Sequence, residues 1–267
     1  MLPNVFSSIR HYGAIEISGK DASHFLQGQL TNDITTVTST AGQFAAYCNQ
    51  QGRVIALCAV IAIADATVKK FILFLPQGLL PSVLTRLRRY VVAAKVNLVD
   101  VSEQYCLFAG SHDSAFLNEN PDIFRVDLLP NKKLFFYGAR RASDQTDSVL
   151  QELSKKHLDC IDNAAWNVVR MQHNLVEINS SNSEKFLPHY LNLVNHQMVN
   201  FNKGCYVGQE IIARMQFRGT IKKHLVFAEF STTASPQIED TIDEIGVLVE
   251  YHEITPGFYA GLFLQSD

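Results

Sequence analysis

With 267 residues, 47% of them apolar and 18% charged, the chain can bury a large core. It exceeds the usual size of one domain, so two or three are expected. A net charge of −3 argues against electrostatic binding of nucleic acid as the main activity, while leaving local basic patches open. The five cysteines (Cys48, Cys58, Cys106, Cys160 and Cys205) are odd in number and form no C-x-x-C pair. That pattern supports neither a disulfide framework nor structural zinc, and a reduced, cytoplasmic protein is the simplest expectation. The N-terminus has no secretory pattern, and the longest apolar run, Val54 to Ala64, is far too short to span a bilayer.

Tyr12 to Ser18 alternates as a strand, and Asp21 or Ser23 can cap a helix carrying Phe25, Leu26 and Leu30. Gln43 to Cys48 and Arg53 to Ile63 predict two strands around the turn Asn49-Gln50-Gln51-Gly52, and Lys70 to Leu75 a third. Leu80, Val83, Leu84, Leu87 and Val91 have helical spacing within Leu79 to Val92. Arg86, Arg88 and Arg89 lie between them, and a solvated face is favoured there over a polyanion site. Val96 to Val101 returns as a strand. Near Tyr105 a second unit begins, with strands at Cys106 to Ala109 and Leu134 to Tyr137 and helices at Ser114 to Leu117 and Ser148 to His157. No chemistry is legible in it. Asp162 to His173 predicts a helix carrying Trp166, Val169 and Arg170, followed by a polar break at Asn179 to Ser183. After Gly219 the pattern turns to short β runs (Leu225 to Phe230, Gly246 to Tyr251, Phe258 to Leu264), a small C-terminal β domain.

The densest chemistry lies in Lys203-Gly204-Cys205-Tyr206-Val207-Gly208-Gln209-Glu210. A thiol sits two residues after a lysine and between two glycines, which permit positive φ and close approach to the backbone. The cation and a helix starting just afterwards both favour thiolate over thiol; Glu210 opposes this if it faces the sulphur. Tyr206 is suited to a local hydrogen bond, Gly208 to a backbone requirement, and Gln209 and Arg214 to an exposed helix face. The plainer alternative is a glycine-punctuated loop with Cys205 as small apolar filler. His173, His189 and His196 show no ligand spacing, so no metal is expected.

This run, with Ala213-Arg214 and Arg218-Gly219, resembles the signature of the YgfZ family, folate-binding relatives of the aminomethyltransferase T-protein of the glycine cleavage system. Phe25 to Ile34, Gly52-Arg53-Val54, Trp166 to Arg170, and Phe186-Leu187-Pro188 with Asn192-Leu193 carry the same likeness. It covers most of the chain and is weakest over Tyr105 to Cys160 and the tail. The resemblance implies an α+β fold of three domains around a central channel that accepts tetrahydrofolate. Residues 1–104 and 161–218 would form a discontinuous folate-binding core, 105–160 a second α+β domain, and 219–267 a small β-barrel-like domain. It also implies a part in assembling or maintaining iron–sulphur enzymes, including those that thiolate tRNA. The implied partners are therefore folate and iron–sulphur proteins, with neither a membrane nor direct nucleic-acid binding.

In the family two aromatic positions line the folate, and they fall on Tyr12 and Trp166. The first is usually tryptophan, so Tyr12 departs from the pattern, though a phenol can still stack on a flat ring. On pattern alone, a single Trp on an amphipathic helix reads as core. T-proteins carry an Asp-Asp pair after a Gly-Gly, and one aspartate is needed for aminomethyl transfer. Here Gly52-Arg53-Val54-Ile55-Ala56-Leu57 puts Ala56 and Leu57 there, and neither accepts a proton nor holds a cationic amine. The expectation is an accessory protein with Cys205 as its functional thiol and Lys203 as the nearest cation. A folate-dependent one-carbon enzyme and a pure interaction scaffold are the alternatives.

Overall fold

Alternating and continuous apolar runs in the first 140 residues build one large sheet. The structure is a computed structural model and describes residues 5–63, 70–92, 94–111, 123–129, 134–140, 159–242 and 244–266. The strands are β1 (Val5–Ser8), β2 (Tyr12–Ser18), β3 (Ala41–Cys48), β4 (Val54–Ile63) and β5 (Lys70–Pro76), then β6 (Asn97–Asp100), β7 (Tyr105–Gly110), β8 (Ile123–Leu129), β9 (Leu134–Arg140) and β10 (Asp159–Cys160). They hydrogen-bond in the order β10-β1-β7-β9-β8-β3-β4-β5-β2-β6. The block β10-β1-β7-β9-β8 thus joins the block β3-β4-β5-β2-β6 through a short parallel seam, Ala41 opposite Arg125 and Gly42 opposite Val126. Gly42 is what lets that seam close: a Cβ there would stand 2.6 Å from both Val126 Cγ2 and the Val60 carbonyl oxygen.

The hairpin β3–β4 supplies the centre of the core. Every residue from Val54 to Ile61 is buried, as expected for a strand covered on both faces. Among the described residues, four helices pack around the sheet: α1 (Ala22–Gln27), α2 (Leu80–Tyr90), α3 (Asn163–Gln172) and α4 (Gln209–Arg218). The predicted stripe on α2 is the buried one, Leu80, Val83, Leu84 and Leu87. Asp162 caps α3 by accepting the Ala165 N–H at 2.7 Å. Asp21 precedes α1 but makes no side-chain cap; its carboxylate accepts the Lys95 N–H instead. α1 also stops short of Leu30, which forms an isolated bridge with Tyr47. The helices predicted at Ser114 to Leu117 and Ser148 to His157 lie outside the described residues.

A separate antiparallel sheet follows α4: β11 (Lys223–Ser231), β12 (Thr241–Ile242), β13 (Gly246–Thr255) and β14 (Phe258–Ser266), ordered β11-β14-β13-β12. Its period of two is visible in burial. Ala260, Leu262 and Leu264 join the main core, while Tyr259 and Phe263 form a second cluster with Phe230 and Leu248. The molecule is therefore a mixed α+β protein with few helices, one large sheet and a small C-terminal one.

Candidate functional site

Tyr12 opens β2 and Trp166 sits in the first turn of α3, and the two line one cavity. Phe44, Leu57, Phe136, Leu128, Arg170 and Glu177 also line it, leaving about 40 Å³ of free volume. Leu57 is the residue at the expected aspartate position, and it faces this cavity; Ala56 is fully buried beside it. Phe44 is shared with a larger polar cleft of about 580 Å³, walled by residues including Asn32, Gln43, Asp127, Asn200 and Phe201. The aromatic pair and the Arg170–Glu177 edge suit a flat, hydrogen-bonding heterocycle such as a pterin. The room for one does not yet exist: typical ligand pockets hold roughly 300–1,000 Å³.

Trp166 and Arg170 are four apart on α3 and share its buried face. A buried guanidinium needs acceptors, and here every branch finds one. Its Nη1 donates to Glu250 Oε2 at 2.9 Å and to the Leu175 carbonyl at 3.0 Å, and Nε to Asn167 Oδ1 at 3.1 Å. The fork is completed by Nη2 and Glu250 Oε1. Glu250 comes from β13, so this pair ties the small sheet to the wall of the cavity. Burial raises the Glu250 pKa against the pull of Arg170. For Arg170 itself, desolvation lowers the pKa, but Glu250 outweighs it and the net direction is up.

Glu177 brings a carboxylate into the cavity. Its Oε2 lies 3.0 Å from His11 Nε2, the Tyr12 hydroxyl bonds to it, and its own N–H donates to Glu250 Oε2 at 2.9 Å. Burial pushes its pKa up, yet Arg170, His11 and Tyr12 outweigh that and hold it below the ordinary carboxylate value. Desolvation, then the Glu177 charge, pushes the Tyr12 phenol well above its ordinary pKa. His11 is partly exposed, and its other ring nitrogen lies 3.0 Å from Asn163 Nδ2.

The cysteine run occupies a different place, against the end of α1 and the β3–β4 turn. Lys203 donates to three carbonyls, of Gln27 (2.8 Å), Leu30 (2.6 Å) and Asn32 (2.8 Å), using all three N–H groups of its ammonium. Burial lowers its pKa to about 8, with Asp33 opposing. Tyr206 is buried, with Lys203 Nζ 5.2 Å from its ring centre; its hydroxyl has no hydrogen-bond partner among the described residues, contrary to the local bond expected. The Val207 N–H donates to the Gly28 carbonyl at 3.2 Å. Gly208 begins α4 with φ +83°, and a Cβ there would fall 2.4 Å from the Asn49 carbonyl oxygen. Gly204 is different: a Cβ would meet nothing within 4 Å. Cys205 stands exposed between them, not buried as filler. Gln209 is half-buried, whereas Glu210 and Arg214 are exposed on α4.

The structure therefore joins Tyr12 and Trp166, joins Lys203, Tyr206 and Gly208 in the loop's scaffold, and keeps Cys205 off the lining of the aromatic cavity. Of the histidines weighed as ligands, His173 bonds the Val169 carbonyl and His196 the Asn174 carbonyl, while His189 is buried. Sequence reasoning missed Glu177, Glu250 and His11. One signal was available: an arginine on the buried face of α3 demands an acid partner from elsewhere.

Comparison with known proteins places these features in context. The family described as GCVT N-terminal domain matches residues 6–114. A protein called "tRNA-modifying protein YgfZ" from Escherichia coli is 26% identical over 259 residues, covering 91% of this chain and 77% of that protein. Its namesake from Colwellia psychrerythraea is 26% identical over 247 residues, covering 88% and 75%. An uncharacterized protein of Haemophilus influenzae is 27% identical over 240 residues, covering 89% and 78%. The crystal structure of glycine cleavage system aminomethyltransferase T from Bartonella henselae superimposes with a TM-score of 0.70 over 98% of this chain and 78% of that one. At 15% identity, that likeness establishes the fold.

Proposed function

We propose a function from one premise: this chain is a member of the YgfZ family of T-protein-like proteins. It is a cytoplasmic tetrahydrofolate-binding accessory protein that acts in tRNA modification by supporting iron–sulphur enzymes, and it performs no aminomethyl transfer. Tetrahydrofolate brings one-carbon carrying capacity to such a site when bound. In this chain Tyr12 and Trp166 would stack on its ring, and Arg170 and Glu177 would meet its polar edge. Cys205 is the functional thiol. Lys203 serves it by fixing the loop, since its ammonium is committed to three carbonyls. The single observation that carries the reading is that Tyr12 and Trp166 line one cavity together with Leu57, which stands at the expected aspartate position.

Replacing Cys205 by Ala and measuring tRNA methylthiolation in cells that depend on this protein tests the role of the thiol. Modification should fall toward the level seen without the protein; an unchanged level removes Cys205 from the account.

A second reading has one observation in its favour. Glu177 supplies a carboxylate to the cavity that a folate-dependent one-carbon enzyme could use to hold a cationic amine. Its bonds to His11 and Tyr12 and its lowered pKa make it a weak base at neutral pH. Steady formation of methylene-tetrahydrofolate from an aminomethyl thioether donor, with ammonia and the free thiol released and no oxidant needed, lost in Glu177→Gln, would favour the enzyme.

A further inference from the structure

The charge of this chain is segregated. Between Gln209 and Lys223 there are four cations (Arg214, Arg218, Lys222 and Lys223) and one carboxylate, Glu210, so this stretch carries +3 while the whole chain carries −3. Arg214, Arg218 and Lys222 are exposed. An exposed cationic helix face is usually just solvated, and charge alone would carry nothing.

The aromatic between those cations changes that. Phe217 is 71% exposed, the most open aromatic ring among the described residues. On α4 it lies beside Arg214 and Arg218 on the outward side that also carries Ile211; Ile221, just past the helix end, is exposed too. Phe217 meets the Phe201 ring edge-on, with centres 5.6 Å apart and planes at 73°. Phe201 in turn is a wall of the polar 580 Å³ cleft, within the range of a small-molecule pocket. Asn200 and Asn202 also line that cleft, with Asn200 Oδ1 accepting the Asn202 N–H at 2.8 Å.

We propose that the outward face of α4, with the cleft behind Phe201, binds single-stranded RNA. Arg214, Arg218 and Lys222 neutralise phosphates, Phe217 stacks on one base, and a neighbouring nucleoside enters the cleft beside Phe201. Aromatic rings interleaved with cations are the general solution for an unpaired strand, because every base has a π-face and every linkage a charge. An acidic protein surface is the competing occupant. The polar cleft next to the exposed ring favours the nucleotide, since a polar hollow is a poor socket for an apolar side chain. The inference stands apart from the folate reading and can hold or fail without it.

The test is fluorescence anisotropy with a labelled single-stranded RNA of about 16 nucleotides and with the same strand in duplex, over a salt series. Wild type should bind the single strand more tightly, with affinity falling as salt rises. Phe217→Ala should weaken binding by at least about fivefold, the effect of losing one stacked base. Arg214→Gln with Arg218→Gln should lower the magnitude of the log–log salt slope by about 1.4, roughly 0.7 per cation on a single strand. Melting temperatures of all variants, at exposed positions, serve to show that the fold is intact. No salt-dependent binding by wild type, or variants that bind as wild type does, would overturn the proposal. So would variants that keep RNA affinity while losing a protein partner.

Discussion

The aromatic cavity and the cysteine loop are built on opposite plans. In the loop, a contiguous run of sequence is spent mostly on backbone: Lys203 satisfies three carbonyls, Gly208 permits a left-handed turn, and Tyr206 fills the space beneath. Only Cys205 and Gly204 are left without a packing reason. In the cavity, by contrast, the lining groups come from β2, β4, α3 and the segment after α3, with Glu250 of the C-terminal sheet bonded to one of them. A motif dense in sequence can thus be mainly scaffold, while a site can be assembled from residues that no local pattern groups.

The sharpest break of this comparison is on the cavity side. Arg170→Ala strands Glu250 as a buried, unpaired charge, which costs about 3–5 kcal/mol and should lower the melting temperature by on the order of 10 °C. A calorimetric scan checks it; a shift below a couple of degrees would mean the pair contributes little.

The loop gives an internal control. Gly208→Ala meets both a positive φ and the Asn49 carbonyl oxygen, so a cost of about 1–3 kcal/mol is expected. Gly204→Ala, with open space around it, should stay within about 0.5 kcal/mol. Equal effects in urea titrations would contradict the division into scaffold and exposed tip.

Acid should expose the role of Glu177. Its folded pKa is lower than its unfolded one, so its stabilisation is present above the unfolded value and is lost as pH falls through the folded one. Stability followed below pH 5 should therefore fall less steeply in Glu177→Gln than in wild type. Parallel acid limbs would remove Glu177 from the network. The smallest structural effect is expected for Cys205→Ser, whose melting should match wild type within about 0.5 kcal/mol while its activity in cells is lost.

Much of the fold was legible. The β3–β4 hairpin announced itself through two apolar runs around Asn49 to Gly52, α2 through its heptad-like leucines, and α3 through the Asp162 cap. The C-terminal sheet followed from its short alternating runs. The strand β8 went unread although Phe124-Arg125-Val126-Asp127 alternates and β9 follows closely; its parallel pairing with β3, Ala41 opposite Arg125, joins segments far apart in the chain and leaves no local pattern. At the site, Tyr12 and Trp166 came from the family resemblance. Glu177 and Glu250 were invisible because their partners are reached only in three dimensions, His11 lying 166 residues from Glu177 and Arg170 lying 80 residues from Glu250. The hydrogen-bond partners of Lys203 were not legible for a related reason: backbone carbonyls leave no trace in a sequence.

Trp166 is the only tryptophan in the chain, which makes its emission a direct report on the cavity. Titrating tetrahydrofolate while following that emission should give saturable quenching in wild type and in Cys205→Ala alike, and weaker binding in Tyr12→Ala. Emission that stays unchanged at saturating tetrahydrofolate would contradict folate binding between Tyr12 and Trp166.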